Sequence, residues 1–518
     1  MTHYLVHHFL ERCADDEPER LFLIHENDRA SYGQVEQAAN RLAHLLIENG
    51  VRRGDRVGLL AHNSRQAVES YYAVLKAGAV VVPLNTAADG RTLRGFLADC
   101  NATALIVGPR FEKPVSEAIA TLPELRLLVT PEPEKLANPP AHITVLANAA
   151  ALTASNAPPR IMPTDLELAS IVYTSGSTGQ PRGAMLSHLN LVANARSIVS
   201  YLELSATDRV LQILPFYYVY GKSVLNTHAA AGASIVIENR FMFPGTALDT
   251  LQNEACTGLS GVPSTYAILL NKTDFAERSL PALRYLTQAG GPMSPELTKR
   301  LMAAQPRARL YVMYGATEAS ARLTYLDPHD LPEKIGSIGK AIPNVEIRVL
   351  REDGTECDVD EPGELVARGS NIMRGYWGAP EETAQVLSQH GYHTGDLGRR
   401  DAEGFLWVVG RKKDMIKAGA HRIAAKEIED AILEYAEVHE VAVIGVPDEI
   451  LGEAIKALVV FRGDATAGEQ GLTLFLKKRL PAYKQPSIIE SRADLPKNES
   501  GKIMKQKLKE QERAERHS

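Results

Sequence analysis

The 518-residue sequence predicts an α/β fold: a large N-terminal domain of doubly wound sheets with a small β-rich subdomain, followed by a small α+β C-terminal domain. Three observations lead to this prediction. Helical and strand patterns alternate through the first part of the chain, which favours a mostly parallel sheet covered by helices. Short strands separated by glycine and acidic turns come next. A compact mixed pattern then begins beyond a charged segment at 411–414.

The alternation begins with an amphipathic helix. Ser31 and Gln34 have the spacing of a capping box, in which each side chain bonds the backbone N–H of the other residue. Apolar residues then recur at helical spacing, and Gly50 is expected to end the helix. The elements expected next are a strand at 56–61, a helix through Tyr72, a strand at "VVVPLN", a helix at 92–99 and a strand at "ALIVG".

The later segments set the domain boundary. Residues 131–164, rich in proline and alanine, predict a surface connection, after which helix and strand alternate again to about Tyr325. The elements expected beyond it are strands at 345–350, 363–369 and 404–410, a helix at 426–435, strands at 440–446 and 455–461, a helix at 472–480 and a strand near Ile488. We therefore divide the chain into domains 1–412 and 413–518.

Composition excludes several classes of function. The net charge of −6 offers no basic field for nucleic acid or an anionic membrane. No apolar run reaches the ~18 residues of a membrane helix, and the N-terminus lacks the pattern of a signal peptide. Four scattered cysteines without C-x-x-C spacing favour neither disulfides nor a zinc site, so we expect a cytoplasmic protein.

The stretch "IVYTSGSTGQPRGAMLSH" (171–188) carries a polar, glycine-rich loop directly after an apolar strand. Such a loop can turn successive backbone N–H groups toward a phosphate. Its polar and glycine residues are Thr174, Ser175, Gly176, Ser177, Thr178 and Gly179, and Arg182 follows as a possible partner for a phosphate oxygen. The Walker pattern G-x-x-x-x-G-K-[ST] is absent. Taken alone, the loop supports phosphate binding and a flexible surface turn equally.

Six further segments occur in a particular order: "LPFYYVYG" (214–221), "TQAGGPM" (287–293), "YGATEAS" (314–320), "YHTGDLGRRD" (392–401), "GRKKDMIKAG" (410–419) and "PKNESGKIMK" (496–505). With the glycine loop, this set resembles the motifs of the adenylate-forming superfamily, which includes acyl-CoA synthetases, adenylation domains of peptide synthetases and beetle luciferases. The resemblance covers essentially the whole chain. It implies a large N-terminal domain and a small, mobile C-terminal one.

The resemblance also implies a two-step reaction. A carboxylate is a poor acyl donor, so the enzyme first joins it to the α-phosphate of ATP, forming acyl-AMP and releasing pyrophosphate. A thiol of CoA, or of a phosphopantetheinyl carrier protein acting in trans, then attacks this activated intermediate. The substrate would be a fatty or other carboxylic acid, with ATP and Mg²⁺ as cofactors.

Several residues receive roles from the resemblance. Glu318 corresponds to the acid linked to Mg²⁺, Thr317 to a contact of the α-phosphate and Lys502 to the lysine that bridges carboxylate and α-phosphate. Asp396 would accept both ribose hydroxyls, and Arg411 would contact the ribose as well. Without the family match, each residue has an alternative interpretation. Thr317 would be a helix N-cap, Asp396 a turn residue and Lys502 a solvated lysine. Residues expected on the nucleotide side are Gly290, Gly291, Tyr314 and Gly315.

The acid pocket is expected around the helix that starts near Tyr218, together with Ala289 and Gly290. Amino-acid-activating relatives place an aspartate on this helix, but no acidic residue occurs at 215–225, which favours an acid without an α-amine. Lys222 on the same helix is unexpected. We expect it to be solvated, with contact to a polar group of the substrate as the alternative.

The resemblance places a hinge at Lys413, which lets the Lys502 loop and the 417–422 segment take turns at one site. The sequence departs from the family where Arg182 replaces the usual lysine, and where Ala420 and Ala425 replace the common glycine and proline. Two other functions remain open: a stand-alone amino-acid adenylation domain that loads a carrier protein, and a catalytically silent nucleotide-binding relative.

Overall fold

The computed structural model describes residues 4–174, 181–418, 421–448, 452–463, 468–497 and 503–517. The helices are α1 His8–Asp16, α2 Tyr32–Glu48, α3 Arg65–Lys76, α4 Gly90–Asp99, α5 Glu112–Ile119, α6 His188–Leu202, α7 Val219–Ala231, α8 Pro244–Asn253, α9 Pro263–Lys272, α10 Pro295–Ala304, α11 Pro380–Val386, α12 Ala425–Leu433, α13 Gly468–Arg479 and α14 Lys505–His517.

The strands are β1 Leu21–His25, β2 Asp28–Ser31, β3 Arg56–Leu60, β4 Val80–Pro83, β5 Ala104–Val107, β6 Leu127–Thr130, β7 Thr144–Ala147, β8 Leu168–Thr174, β9 Arg182–Ser187, β10 Arg209–Gln212, β11 Ser234–Ile237, β12 Gly258–Gly261, β13 Tyr285–Gln288, β14 Arg309–Tyr314, β15 Thr324–Leu326, β16 Lys340–Ala341, β17 Val345–Leu350, β18 Gly363–Gly369, β19 Leu387–Ser388, β20 Gly391–Arg400, β21 Leu406–Arg411, β22 Met415–Ala418, β23 His421–Ala424, β24 Val438–Asp448, β25 Gly452–Phe461 and β26 Ile488–Ser491.

The chain forms two compact units. The first unit is Met1–Ile335, Gly339–Glu346 and Ala367–Tyr392, and the second unit is Gly336–Ile338, Ile347–Val366 and His393–Ser518. The predicted division into domains 1–412 and 413–518 stays a prediction.

Two sheets organise the first unit. One has the order β7-β6-β5-β3-β4-β8-β9 and is parallel except for the β8–β9 pair. The other has the order β16-β15-β14-β13-β12-β10-β11-β1-β2, with a parallel centre from β14 to β1. Parallel strands need crossover connections, and the helices between them supply these connections. The predicted α/β fold with doubly wound sheets is confirmed.

Local sequence signals explain where α2 begins and ends. Ser31 is the N-cap of α2 and forms the predicted capping box with Gln34. The chain leaves the helix at Asn49, and Gly50 takes a φ of +87°, a conformation that glycine adopts at little cost. The buried apolar face of α2 packs into a core shared with α3 and the adjacent strands. Helix α3 extends to Lys76, beyond the expected end at Tyr72.

One expectation about a connection is corrected, and one strand was not predicted. Residues 131–164 are not only a surface connection, because β7 lies within them and pairs with β6 at the sheet edge. The sequence after the glycine loop does not open a helix directly. It forms β9, which returns antiparallel beside β8, and α6 begins only at His188 behind a Ser187–Asn190 capping box.

Two further sheets organise the rest. The short strands expected at 345–350 and 363–369 are present as β17 and β18, in a sheet of order β17-β18-β20-β19 in which β21 pairs with β20. In the C-terminal part, β23-β22-β25-β24 form a sheet, β26 pairs with β25, and α12 and α13 bury apolar residues in the same core. The α+β pattern predicted for this part of the chain is confirmed.

Candidate functional site

Four of the predicted nucleotide and acid residues lie at one edge of the larger sheet. Strands β12, β13 and β14 are parallel neighbours, with Gly261 beside Gln288 and Gln288 beside Val312. Ala289, Gly290 and Gly291 follow β13, and Tyr314 ends β14. Ligands of open α/β sheets bind in crevices outside the carboxyl ends of the strands. The sequence-predicted residues therefore lie where this fold builds a binding site.

The turn after β13 presents its backbone at this edge. Gly290 has a φ of +85°, which a residue with a side chain rarely adopts. The Gln288 side chain donates a 2.7 Å hydrogen bond to the carbonyl of Gly291 and closes the turn. Ala289 is buried. Glycines at both following positions leave room for a flat group to approach the backbone.

The segment after β14 folds back tightly on itself. A Cβ at Gly315 would lie 2.0 Å from the carbonyl oxygen of Ala321, so only glycine fits there. Residues Thr317–Ala319 form one 3₁₀ turn, followed by Ser320 at φ +57° and Ala321 at φ +116°. Backbone in these regions costs of order 1–3 kcal/mol per residue and persists where the surroundings enforce it.

Buried Asn371 enforces that turn. Its Nδ2 donates to the carbonyls of Ala319, at 3.1 Å, and Arg322, at 2.8 Å. Ser320 Oγ donates in return to the carbonyl of Asn371 at 2.8 Å. The N-cap alternative for Thr317 is wrong, because Ala316 occupies the cap position and no side chain caps the turn. The threonine hydroxyl is therefore not committed to capping.

Glu318 projects from this turn and is held by a residue that sequence reasoning missed. Tyr376 Oη donates a 2.8 Å hydrogen bond to Glu318 Oε1, and the backbone N–H of Met373 donates to the carbonyl of Glu318 at 2.8 Å. Burial and the adjacent negative charge of Glu318 raise the pKa of the Tyr376 phenol. The phenol therefore stays protonated and keeps its donor role.

Arg182 joins Glu318 and Tyr376 from the seven-stranded sheet, where it begins β9. Its Cζ lies 5.5 Å from the centroid of the Tyr376 ring, within cation–π range. Thr174 and Arg182 are directly paired at the ends of β8 and β9, and Thr174 Oγ1 donates to the Arg182 carbonyl at 3.4 Å. The loop residues Ser175, Gly176, Ser177, Thr178 and Gly179 lie outside the described residues. Of the described residues that flank them, Thr174 and Arg182 are paired with each other, and Arg182 lies beside Tyr376.

The helix expected to line the acid pocket is α7, which begins directly after Tyr218. Tyr218 is its N-cap residue, half-buried, with its ring centroid 4.5 Å from that of Tyr217. Tyr220 is a core residue, since its hydroxyl bonds Thr287 at 2.9 Å. Lys222 corrects an expectation: it is not solvated, but 8 % exposed. Burial lowers the pKa of its ammonium to about 7.

In the second unit, Asp396 and Arg411 form an ion pair. They lie opposite each other on β20 and β21, and Arg411 Nε is 2.8 Å from Asp396 Oδ1. Asp396 is 6 % exposed and belongs to a strand, which removes its alternative interpretation as a turn residue. Sequence reasoning missed Glu364, which accepts from the N–H of Gly395 at 3.2 Å and lies 3.3 Å from Lys412 Nζ.

The remaining predicted site residues belong to the C-terminal part of the chain. Lys413 lies in the 3₁₀ turn Lys412–Asp414, between β21 and β22. The 417–422 segment belongs to a β22–β23 hairpin in which Lys417 is paired with Arg422, and Ala425 is the first residue of α12. Lys502 and Ala420 lie outside the described residues. On either side of the lysine loop, Lys497 pairs with Ile503.

Comparison with known proteins now decides the family. The model of the "AMP-binding enzyme" family matches residues 10–377, and that of the "AMP-binding enzyme C-terminal domain" matches residues 427–502. This chain belongs to the AMP-binding enzyme family. A curated relative named feruloyl-CoA synthase, from Amycolatopsis sp, is 34% identical over 496 residues, covering 95% of this chain and 96% of the relative.

Solved structures agree with this assignment. One similar structure is the crystal structure of ATP-bound MatB from Rhodopseudomonas palustris. Its sequence is 30% identical to that of this AMP-binding enzyme, and the two structures superpose with a TM-score of 0.87 over 98% of each chain. An anthranilate CoA ligase in complex with anthranoyl-AMP is 26% identical, with a TM-score of 0.89, covering 99% of this chain and 98% of the ligase.

The predicted family and class of reaction are confirmed. This AMP-binding enzyme is an AMP-forming acid–thiol ligase of the acyl-CoA synthetase type, which activates a carboxylic acid as its adenylate and then forms a thioester. Among the residues that the structure describes, no helix is both long and apolar enough to cross a bilayer.

Proposed function

We propose that this AMP-binding enzyme activates a carboxylic acid without an α-amine, using ATP and Mg²⁺, and transfers the acyl group to CoA. The observation that carries the proposal is the group formed by Arg182, Tyr376 and Glu318. A cation, a phenol and a carboxylate converge there from the start of β9, the 370–377 segment and the turn after β14. Such a group suits a polyphosphate with its counter-cation.

Glu318 fits a magnesium ion. Mg²⁺ binds oxygen ligands, usually one or two carboxylates together with phosphate oxygens and waters. The hydrogen bond from Tyr376 orients Glu318 through Oε1 and leaves the carboxylate half-exposed. When bound, the ion would neutralise charge on the phosphates. The residues near ligating carboxylates ordinarily supply such orienting hydrogen bonds.

The chain's own residues would divide the remaining work. Arg182 balances phosphate charge, and the Thr317 hydroxyl donates to the α-phosphate, since it caps no helix. Asp396, held by Arg411, accepts the ribose hydroxyls. Lys502 draws the acid and the α-phosphate together, so that the bond from carboxylate oxygen to α-phosphorus forms as the bond to pyrophosphate breaks.

The acceptor half-reaction rests on the C-terminal part. We place the pivot at Lys413, in the turn that joins β21 to β22, so that the Lys502 loop serves adenylate formation and the β22–β23 hairpin serves thioester formation. CoA is the acceptor that the relatives' names support. A carrier protein acting in trans is the second candidate. Four free, buried cysteines and the need for ATP favour the cytoplasm.

An acid-dependent pyrophosphate-release screen tests the proposal, run with CoA, with a phosphopantetheinylated carrier protein and with neither. The panel contains fatty, aryl and dicarboxylic acids alongside the proteinogenic amino acids. We expect release with acids that lack an α-amine, and thioester with CoA. Superior turnover of amino acids would contradict the proposed acid class, and thioester on the carrier alone would contradict the proposed acceptor.

A further inference from the structure

One face of α7 borders a small, partly open cavity in the first unit. Val219, Lys222, Ser223 and Asn226 lie on this face at helical spacing. The opposite wall is formed by Leu191, Asn194 and Ala195 of α6 and by Ser320. The cavity volume is about 10 Å³, room for about one water-sized group.

Lys222 brings a buried ammonium to this cavity, and no carboxylate in the described part of the chain neutralises it. Its Nζ lies 3.9 Å from the ring centroid of Tyr71 and 5.8 Å from that of Phe216. No ion pair among the described residues includes Lys222. Aromatic faces attract a cation, but they do not cancel its charge.

Two other buried lysines of the chain show the contrast. Lys76 is paired with Glu11 and with Glu36, the latter at 2.7 Å. Lys456 lies 2.6 Å from carboxylate oxygens of both Glu490 and Glu512. Each of these lysines therefore has two anionic partners from the protein. A buried charge is ordinarily retained only when it is paired. Where the structure is described, Lys222 has no such carboxylate partner, unlike the other two lysines.

The cavity holds further unmet hydrogen-bonding capacity. Asn194 and Asn226 are both almost fully buried, and the amide oxygen of each lacks a hydrogen-bond partner in the structure. The amide nitrogen of Asn194 donates a hydrogen bond to the carbonyl of Arg322, and that of Asn226 donates to the hydroxyl of Tyr71. Buried polar atoms are nearly always paired, so several unpaired ones around one cavity indicate a missing ligand.

The cavity adjoins the proposed reaction site. Ser320 is two residues beyond Glu318 on the same tight turn, and Val219 directly follows Tyr218 at the start of α7. Lys222 is three residues further along the helix, about 4.5 Å in rise. An acid whose reacting carboxylate lies near Glu318 can therefore extend its other end along α7 toward Lys222.

We propose that the acid substrate carries a second carboxylate, and that Lys222 binds it in this cavity. The inference rests on the proposed function. An anionic group supplies a counter-charge for the ammonium. The small volume admits one oxygen of a carboxylate, with the rest of that group at the mouth of the cavity, and leaves no room for a phosphate. The second carboxylate accepts a hydrogen bond from the Lys222 ammonium. The remaining N–H groups of the ammonium donate to the amide oxygens of Asn194 and Asn226.

The test compares three series of acids of matched length in the pyrophosphate-release assay with CoA. Butanoate, hexanoate, octanoate and decanoate are each paired with the ω-hydroxy acid and the dicarboxylic acid of the same length. We expect one dicarboxylic acid to exceed its monocarboxylic partner in kcat/KM by about 30-fold or more. Lys222→Met should abolish that preference, by raising KM for the diacid and improving use of the monoacid.

Lys272→Met is the matched control, because Lys272 is an exposed lysine at the end of α9. A second readout does not depend on turnover: binding of the preferred diacid should take up protons in wild type at pH 8, and not in Lys222→Met. A monocarboxylic or ω-hydroxy preference in wild type would overturn the inference. So would a diacid preference that survives Lys222→Met. Failure of every acid to release pyrophosphate would overturn the proposed function itself.

Discussion

The phenol of Tyr376 donates a 2.8 Å hydrogen bond to Oε1 of Glu318, although 58 positions separate the two residues in the chain. The same ring receives the guanidinium of Arg182 at 5.5 Å. One tyrosine thus connects the start of β9 with the turn that carries Glu318. A carboxylate fixed by a neutral donor keeps its full charge, which suits binding of a divalent cation.

Removing only the hydroxyl of Tyr376 tests this connection. We expect Tyr376→Phe to weaken use of Mg²⁺ in adenylate formation about 10- to 100-fold, because partners that orient ligating carboxylates typically contribute that much. The measurement is pyrophosphate release as a function of Mg²⁺ concentration at saturating ATP and acid.

Tyr32→Phe is the matched control, since Tyr32 is a buried tyrosine whose hydroxyl donates to the carbonyl of Ala233 at 2.8 Å. It should lower the melting temperature without changing the Mg²⁺ dependence. An unchanged Mg²⁺ profile in folded Tyr376→Phe would show that the phenol only stabilises the fold.

Asp396→Ala should weaken ATP use strongly. A pair of charge-assisted ribose hydrogen bonds contributes roughly 2–4 kcal/mol, on the order of 30- to 1,000-fold in kcat/KM for ATP. The control is Asp401→Ala, since Asp401 is a turn aspartate that accepts from the N–H groups of Glu403 and Phe405. Equal loss of ATP use in the two variants would assign Asp396 a structural role.

Lys222 should make stability depend on pH. Burial lowers the pKa of its ammonium to about 7 in the fold, against about 10.4 in the unfolded chain. Between these values the unfolded state binds more protons, so stability falls as pH decreases from about 10 to 7, by up to about 4 kcal/mol.

Lys222→Met removes this cost. Its melting temperature should exceed that of wild type by a margin that is small at pH 10 and largest at pH 7 and below. Because the two proteins share all other titrating groups, the difference reports Lys222. A difference that does not change with pH would show that the lysine keeps its ordinary pKa in the fold.

Lys502→Ala should separate the two half-reactions. If its ammonium acts only while acyl-AMP forms, acid-dependent pyrophosphate exchange should fall by about 10²–10³. Chemically prepared acyl-AMP and CoA should still give thioester at close to the wild-type rate, and the melting temperature should hardly change. Parallel loss of both half-reactions in a folded variant would exclude the assigned role.

Periodic local signals made much of the fold predictable. The Ser31–Gln34 capping box and the strands at 345–350 and 363–369 are as expected, because short-range spacing determines them. Strand β9 was missed because it forms by pairing back across the glycine loop.

The site was predictable where a motif fixes a residue's role, and not where distant parts of the chain meet. Tyr376 carries no local signal, and only the fold brings it to Glu318. The burial of Lys222 was missed for a related reason. A lysine on a helix is ordinarily solvated, and only the packing of α7 against Tyr71 and α6 removes it from water.

The most direct test of the central claim is acid-dependent exchange of labelled pyrophosphate into ATP by Glu318→Gln, with exposed Glu333→Gln as control. The substitution keeps the shape and removes the charge proposed to hold Mg²⁺. We predict wild-type exchange in the control and a loss of at least about 100-fold in Glu318→Gln, with an unchanged melting temperature. Exchange at the wild-type rate in Glu318→Gln would contradict the account.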